Sequence, residues 1–325
     1  MTSDEIPPGR ASVAIATCAA ARGADEDAPL LTEALEDLGV SVVERDWHDD
    51  TVEWGSYDLV VIRSTWDYMP RRDEFVAWAR RVESLTRLAN PATVVDWNTD
   101  KHYLSEMAAV GVPIVPTTFV EPSGSTNVTG PDQADPAGLA DLILCSPSDG
   151  AGLDGFVVKP TISAGSKDTV RYPSPTADPT ALESAALHVS SLLDAGRSAM
   201  VQPYMSGVDT DGETGLLYFD GRFSHAFRKG PLLRVGSAAV TGLFAPEEID
   251  PREPSRAELD LAEWVLEACR ALTGSELLYA RVDLVPDSTG DPVLQELELT
   301  EPSFFLTTEP AAAGRAAAAI AAAIT

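Results

Sequence analysis

Across residues 1–97, short apolar runs alternate with helical patterns, and that alternation limits the fold more than any other feature of the chain. The run SVAIAT over 12–17 is followed by a helical pattern over 29–38 that stops at Gly39, a favoured residue just past a helix end. A strand over 41–45, the apolar run YDLVVIRS over 57–64 and a helical pattern over 71–87 repeat the arrangement. Strands and helices in alternation build a parallel sheet covered on both faces. This stretch therefore reads as a doubly wound α/β domain, with its ligand crevice at the carboxyl ends of the strands.

Beyond it the pattern changes. A helix is expected from Asn98 or Thr99, both good N-caps, to Gly111, followed by the strand VPIVPTTFV. Residues 121–136 are rich in Pro, Gly, Ser, Thr and Asp and read as a surface loop. The strands GFVVKP, DTVRY and AMVQPYM follow, with a helix over 180–195. TGLLYFD and RFSHAFRK form a hairpin across Asp220-Gly221, a strong short-range turn signal. A helix over 255–272 precedes the strands LLYARVDLVP and PVLQELEL, which flank a turn over 287–291. The alanine-rich stretch from Ala311 reads as a short packed helix, and no internal repeat is visible.

The chain carries 51 acidic and 23 basic residues, a formal charge of −28, which disfavours nucleic acid and anionic membrane surfaces as partners. With so few cations, the position of each one is informative. Cys18, Cys145 and Cys269 are too widely spaced for a disulfide framework or a zinc site, which suits a cytoplasmic protein. No targeting or membrane segment is expected: the start lacks a basic run leading into apolar residues, and no stretch of about 18 apolar residues occurs.

Asp283, Glu296 and Glu298 sit on the last two strands. Side chains alternate along a strand, so Glu296 and Glu298 point one way while Leu297 and Leu299 face the core, and a hairpin brings Asp283 beside them. Three carboxylates on one face repel unless a cation lies between them, and a hard divalent ion takes oxygen ligands. Mg²⁺ bridging nucleotide phosphates fits. On periodicity alone, a solvated acidic face explains the triplet equally well.

Lys159 ends an apolar strand, where an unpaired charge is costly and calls for an anion. The small loop behind it, residues 161–167, offers backbone N–H groups to phosphate oxygens, although neither a Walker A sequence nor GxGxxG is present. Lys101, near a helix start, opposes the helix dipole unless something negative sits nearby. Arg228, Lys229 and Arg281 extend the cationic set.

In this order the features resemble the ATP-grasp superfamily, which includes glutathione synthetase, the ribosomal S6 modification ligase and D-alanine:D-alanine ligase. The matching segments are Lys101, Lys159 with its loop, MVQPYM, GETGLLYFDGRFSHAFRK, YARVDLV and LQELELTEPS. Within the superfamily, IRSTWDY, NTDK, AFRKG and ELELTEPSFF are similar to the O-ureido-D-serine cyclo-ligases of D-cycloserine biosynthesis.

The resemblance implies an N-terminal α/β substrate-binding domain (1–97), a central ATP-grasp lobe that acts as an ATP lid (98–197) and a C-terminal ATP-grasp lobe with the metal site (198–325), with ATP held between the two α+β lobes. It implies that Lys101 and Lys159 contact ATP phosphates and that the loop containing Ser163, Gly165 and Ser166 closes over them. Gln202 and Tyr204 would hold adenine, and Asp209 or Glu213 the ribose. Asp283, Glu296 and Glu298 would bind Mg²⁺ as two ions, Glu298 standing where the family often has Asn. Arg281 and Arg228 would stabilise charge during transfer. Arg63, Ser64, Thr65, Trp66, Tyr68 and Ser303 would face an amino-acid-like substrate.

The expected activity is ADP-forming carbon–nitrogen ligation through a phosphorylated carboxylate or carbonyl oxygen, with intramolecular ring closure as one outcome. The alternatives are an amino-acid or dipeptide ligase, a kinase that stops at phosphoryl transfer, and a binding module of the same fold. A homodimer or higher homo-oligomer is the family-level expectation.

Overall fold

The computed structural model describes residues 9–122, 154–233 and 247–324. The biased stretch read over 121–136 lies outside them from residue 123 on, as does Cys145. Three sheets make up the fold.

In the first sheet, β1 (Ser12–Thr17) lies between β2 (Ser41–Asp46) and β3 (Leu59–Ile62), and β4 (Arg87–Ala89) extends it, all parallel. Val13, Ile15, Leu59 and Val61 pack on Leu31 and Leu35 of helix α1 (Asp27–Asp37). Ala14, Ala16, Val60 and Ile62 pack on Phe75, Trp78, Ala79 and Val82 of helix α2 (Arg72–Leu85), whose spacing makes one helical face. Burial on both faces is why these strands read as unbroken apolar runs.

The next segment departs from expectation. In place of one helix from residue 98 or 99 to 111 there are two, α3 (Ala92–Asn98) and α4 (Tyr103–Ala109), and Lys101 sits in the turn between them. Asn98 does not cap a helix. Its amide nitrogen donates to Leu297 O at 2.7 Å and its side-chain oxygen accepts from Leu299 N at 2.8 Å, pinning the end of α3 to a distant strand. Tertiary hydrogen bonds have claimed the side chain that local propensity assigned to a cap.

The middle sheet runs β5 (Thr118–Val120), β8 (Ala199–Pro203), β6 (Phe156–Pro160) and β7 (Val170–Tyr172), antiparallel throughout. Helix α5 (Ala181–Asp194) covers it through Ala181, Ala185, Val189 and Leu192. The strand of AMVQPYM, read from sequence as the head of the third lobe, is thus hydrogen-bonded inside the middle sheet.

The third sheet runs β11 (Ile249–Arg252), β10 (Arg222–Lys229), β9 (Glu213–Phe219), β12 (Tyr279–Pro286) and β13 (Pro292–Glu298), also antiparallel. Helix α6 (Arg256–Thr273) starts in a Ser255/Glu258 capping box, ends at Gly274 in the left-handed conformation, and buries Leu261, Val265 and Leu266 against Leu216, Val282 and Leu297. The last helix, α7 (Ala312–Ala323), returns to α1: Ala316, Ala317 and Ile320 share a core with Leu31, Leu35 and Phe219. The Tyr279 hydroxyl lies 3.0 Å from Ile62 O, 2.7 Å from Ala89 O and 3.0 Å from Thr300 O, where the first and third sheets meet. No helix among the described residues is long and apolar enough to cross a membrane.

Candidate active site

A cavity of about 810 Å³ opens where the three sheets converge, a size that suits a nucleotide or similar small molecule. Its third-sheet wall includes the β12–β13 hairpin. Arg281 pairs with Glu298 and Asp283 with Glu296, and a bulge follows Asp283, so the expected juxtaposition of the acidic triplet is present.

The charges are arranged differently from a carboxylate cage around a shared ion. The Arg281 guanidinium donates to both Asp283 oxygens at 2.8 Å, to Glu298, and to Ser303 O at 3.3 Å. The Lys101 ammonium sits 3.0 Å from Glu296 and donates to Ser163 O at 2.8 Å. Among the described residues, no three His, Cys, Asp or Glu side chains are grouped to hold a metal. Arg281 and Lys101 are thus the cationic neighbours of the triplet.

Burial raises the Glu296 carboxyl, but Lys101 and Lys159 outweigh that and hold it down to about 2. Glu298 moves the other way, pushed up to about 8 by burial and by neighbouring Asp283 and Glu296, against the pull of Arg281. Glu296 and Glu298 line the cavity, and their oxygens are the donor type a hard cation takes. Asp283, 1 % exposed, reaches such an ion only by releasing Arg281.

Lys159 is buried at the cavity wall, and among the described residues no carboxylate lies within ion-pair distance of it. Burial depresses its ammonium, with Glu296 opposing and Lys101 adding to the fall. A buried cation without a partner is costly, and a bound anion relieves that cost. Beside it, Gly165 (φ 61°) and Ser166 (φ 59°) turn the loop into the left-handed region, the backbone geometry that aims successive N–H groups at an anion. Ala164 N also reaches Met69 Sδ of the first lobe at 2.8 Å.

The other candidates divide sharply. Gln202, Tyr204 and Glu213 line the cavity, Glu213 paired with Lys229 at 3.1 Å. Asp209 is turned away, accepting from Tyr204 at 2.6 Å and Arg171 at 3.4 Å. Arg228 is not brought to the cavity: its Nε donates to Asp211 O at 3.0 Å and its nearest carboxylate is Asp250 at 4.0 Å. Strand alternation explains this, because Phe227 and Lys229 take the inner face of β10 and leave Arg228 on the outer one. Lys229, not Arg228, is the cation of that strand that lines the site.

From the first lobe, Trp66 and Tyr68 reach the cavity, as does Ser303 of the C-terminal segment. Arg63, Ser64 and Thr65 lie beneath it. Arg63 is 1 % exposed, 3.2 Å from Asp27 and 3.8 Å from Asp25, donates to Pro302 O, and stacks 3.6 Å over the Phe304 ring. Asp27 also accepts from the backbone N–H groups of Phe304 (2.6 Å), Phe305 (3.0 Å) and Leu306 (2.7 Å). The Ser64 and Thr17 hydroxyls are 2.8 Å apart, and the Thr65 hydroxyl is buried. Arg63 ties the end of strand β3 to the C-terminal segment, and Ser64 ties it to the end of β1. The sequence does not single out Asp25, Asp27 or Glu301: the two aspartates belong to no matched segment, and Glu301 lies inside ELELTEPSFF without a role of its own.

Residues 13–90 match the family described as D-cycloserine synthetase DcsG, N-terminal domain. The chain is 39% identical over 312 residues to the cycloserine biosynthesis protein DcsG of Streptomyces lavendulae, covering 95% of this chain and 97% of that one. Among solved structures, D-cycloserine synthetase DcsG superposes with a TM-score of 0.84 at 37% identity, over 97% of this chain and all of that one. The D-alanine–D-alanine ligase from Bacillus anthracis complexed with ATP gives a TM-score of 0.65 at 13% identity over 97% of each chain, a likeness of fold. The chain belongs to the D-cycloserine synthetase family and is an ATP-dependent ligase of the ATP-grasp fold.

Proposed function

We propose that this chain uses ATP and Mg²⁺ to activate the carboxylate of an amino-acid-like substrate, then joins that carbon to a nitrogen of the same molecule, releasing ADP and phosphate. The observation that carries the reading is Lys159, a buried ammonium without a carboxylate partner among the described residues, on the wall of a cavity it shares with Lys101, Lys229 and Arg281. A phosphate supplies the counter-charge that Lys159 lacks. Ring closure is favoured by the 39% identity to a protein of cycloserine biosynthesis.

In this reading Lys101, Lys159 and the backbone of loop 163–167 hold the phosphates, Gln202 and Tyr204 hold adenine, and Glu213 accepts from the ribose. Glu296, Glu298 and Asp283 would hold Mg²⁺, and two ions are expected. Bound there, Mg²⁺ neutralises phosphoryl oxygens. Arg281 then faces the oxygen that gains charge when the nitrogen attacks, and Trp66, Tyr68 and Ser303 enclose the substrate. The three-lobe division is part of the proposal, with β8 leading from the middle lobe to the third. Cytoplasmic action and a homodimer or larger homo-oligomer complete it.

The test is release of ADP and phosphate with Mg²⁺ and O-ureido-D-serine, compared with a panel of D- and L-amino acids and with Glu296→Gln. Release that depends on one substrate, disappears in the variant and accompanies a product of ring-closed mass is expected. ADP release indifferent to every amino acid would sink the ligation step.

A further inference from the structure

We infer that Glu301 is the base that receives the proton of the attacking nitrogen, with Tyr68 as its positioning residue, an assignment that rests on the ligase reading above. A nitrogen that attacks an activated carbon gains positive charge as its bond forms, and it becomes a stable product only by losing a proton. The C–N bond forms, the bond from carbon to the phosphorylated oxygen breaks, phosphate leaves with that electron pair, and the N–H proton passes to the carboxylate.

The cavity leaves few acceptors for that proton. Among the described residues no histidine or cysteine lines it, and with its lysines assigned to phosphate or paired with carboxylates the acceptor is a carboxylate. Asp27 is held by Arg63 and three backbone N–H groups, and Asp25 lies 3.8 Å from the same arginine. Glu213 and Glu247 share Lys229 at 3.1 and 3.6 Å. Glu296 is paired with Lys101 and Glu298 with Arg281. Glu26 is exposed. Glu301 remains: half-buried, on the wall, with no cation within ion-pair distance among the described residues.

Its backbone is fixed from both sides. Trp66 Nε1 donates to Glu301 O at 3.2 Å, Tyr279 hydroxyl contacts Thr300 O at 3.0 Å, Thr300 hydroxyl reaches Asn98 at 3.3 Å, and Arg63 donates to Pro302 O. A short rigid turn therefore presents one side chain to the cavity, the arrangement a positioned base needs. The groups around that carboxyl are Tyr68 and Trp66 from the first lobe, Lys101 from the α3–α4 turn, Tyr279 from β12, and Glu296. Burial, with Glu296 adding to it, lifts the carboxyl to about 7 against the opposing pull of the Tyr68 hydrogen bond and the Lys101 charge. A carboxylate poised there is ionised in useful amount at neutral pH and is a stronger base than an exposed one. Only the ionised form accepts the proton, so ligation rises with pH through about 7.

The experiment compares Glu301→Gln, Glu301→Asp and Tyr68→Phe with the parent protein, using ATP, Mg²⁺ and O-ureido-D-serine. It reads ring-closed product, the KM for ATP, binding of a non-hydrolysable ATP analogue and the thermal midpoint. Glu301→Gln is expected to lower product formation at least ~100-fold and to abolish the limb near pH 7, with analogue binding within about threefold of the parent. Glu301→Asp should restore part of the rate. Tyr68→Phe should move the limb to higher pH, because a hydrogen bond that stabilises the carboxylate is lost. Product formation within about threefold of the parent in Glu301→Gln, or an unchanged limb, overturns the assignment while leaving the ligase reading intact. A parent protein that makes no product overturns both.

Discussion

Two arginines of this molecule are equally hidden and do opposite things. Arg63 and Arg281 are 1 % and 4 % exposed, and each is paired with aspartate and stacked near a phenylalanine. Around Arg63 every neighbour is protein: Asp27, Asp25, Pro302 O and the Phe304 ring close it in. Arg281 stands on a wall, and its partner Glu298 looks into the same cavity. Burial alone therefore does not separate structural from functional charge. What separates them is access to the cavity, which Arg281 lines and Arg63 does not, and Lys159, on the same wall with no carboxylate partner among the described residues, marks the extreme of the second kind.

The largest effect that would break this contrast is at Arg63. Replacing it with Ala strands Asp27 and Asp25 in the interior and should cost roughly 3–5 kcal/mol of folding stability by denaturant unfolding. A stable variant with poor catalysis would place Arg63 in the site after all. Lys159→Met should do the reverse. Nucleotide affinity is expected to fall by about 2–3 kcal/mol, the worth of a lost charge-assisted contact, while the thermal midpoint holds or rises because an unpaired buried ammonium is gone. A drop in stability matching the loss of binding would refute the distinction.

A smaller effect concerns pH. Glu296 is held ionised down to about 2, below the ordinary carboxylate value, so it contributes stability above pH ~4.5 that is lost as pH falls from there towards 2. Acid unfolding of Glu296→Gln should be flatter across that window. Smallest of all is Arg228→Ala, which removes an outward-facing contact and should cost less than about 1 kcal/mol with turnover nearly unchanged. A large loss of turnover would restore the role that the sequence implied.

Much of this was legible in the sequence. Apolar runs in β1 and β3 and the spacing of Phe75, Ala79 and Val82 gave a two-faced sheet, because burial on both sides leaves a local imprint. The β12–β13 hairpin was equally readable, and with it the meeting of Asp283 and Glu296. The break at Lys101 was not, since Asn98 ends its helix by bonding to Leu297 and Leu299, some 200 positions away. The motif points to Arg228 and not to Lys229 because a motif fixes neighbouring positions, whereas only strand pairing decides which of two adjacent residues faces inward. Glu301 went unnoticed for a related reason: its isolation from cations is a property of the assembled cavity and of no local pattern.

The joint at Tyr279, where one hydroxyl meets carbonyls of Ile62, Ala89 and Thr300, has a mechanical corollary. Together with the Asp27 clasp and the return of α7 to α1, it welds the first and third sheets into a single jaw. The middle sheet meets that jaw at the cavity, through Lys101 to Ser163 and Ala164 to Met69. The cavity walls that the first and third sheets contribute are thus held in one fixed relation to each other.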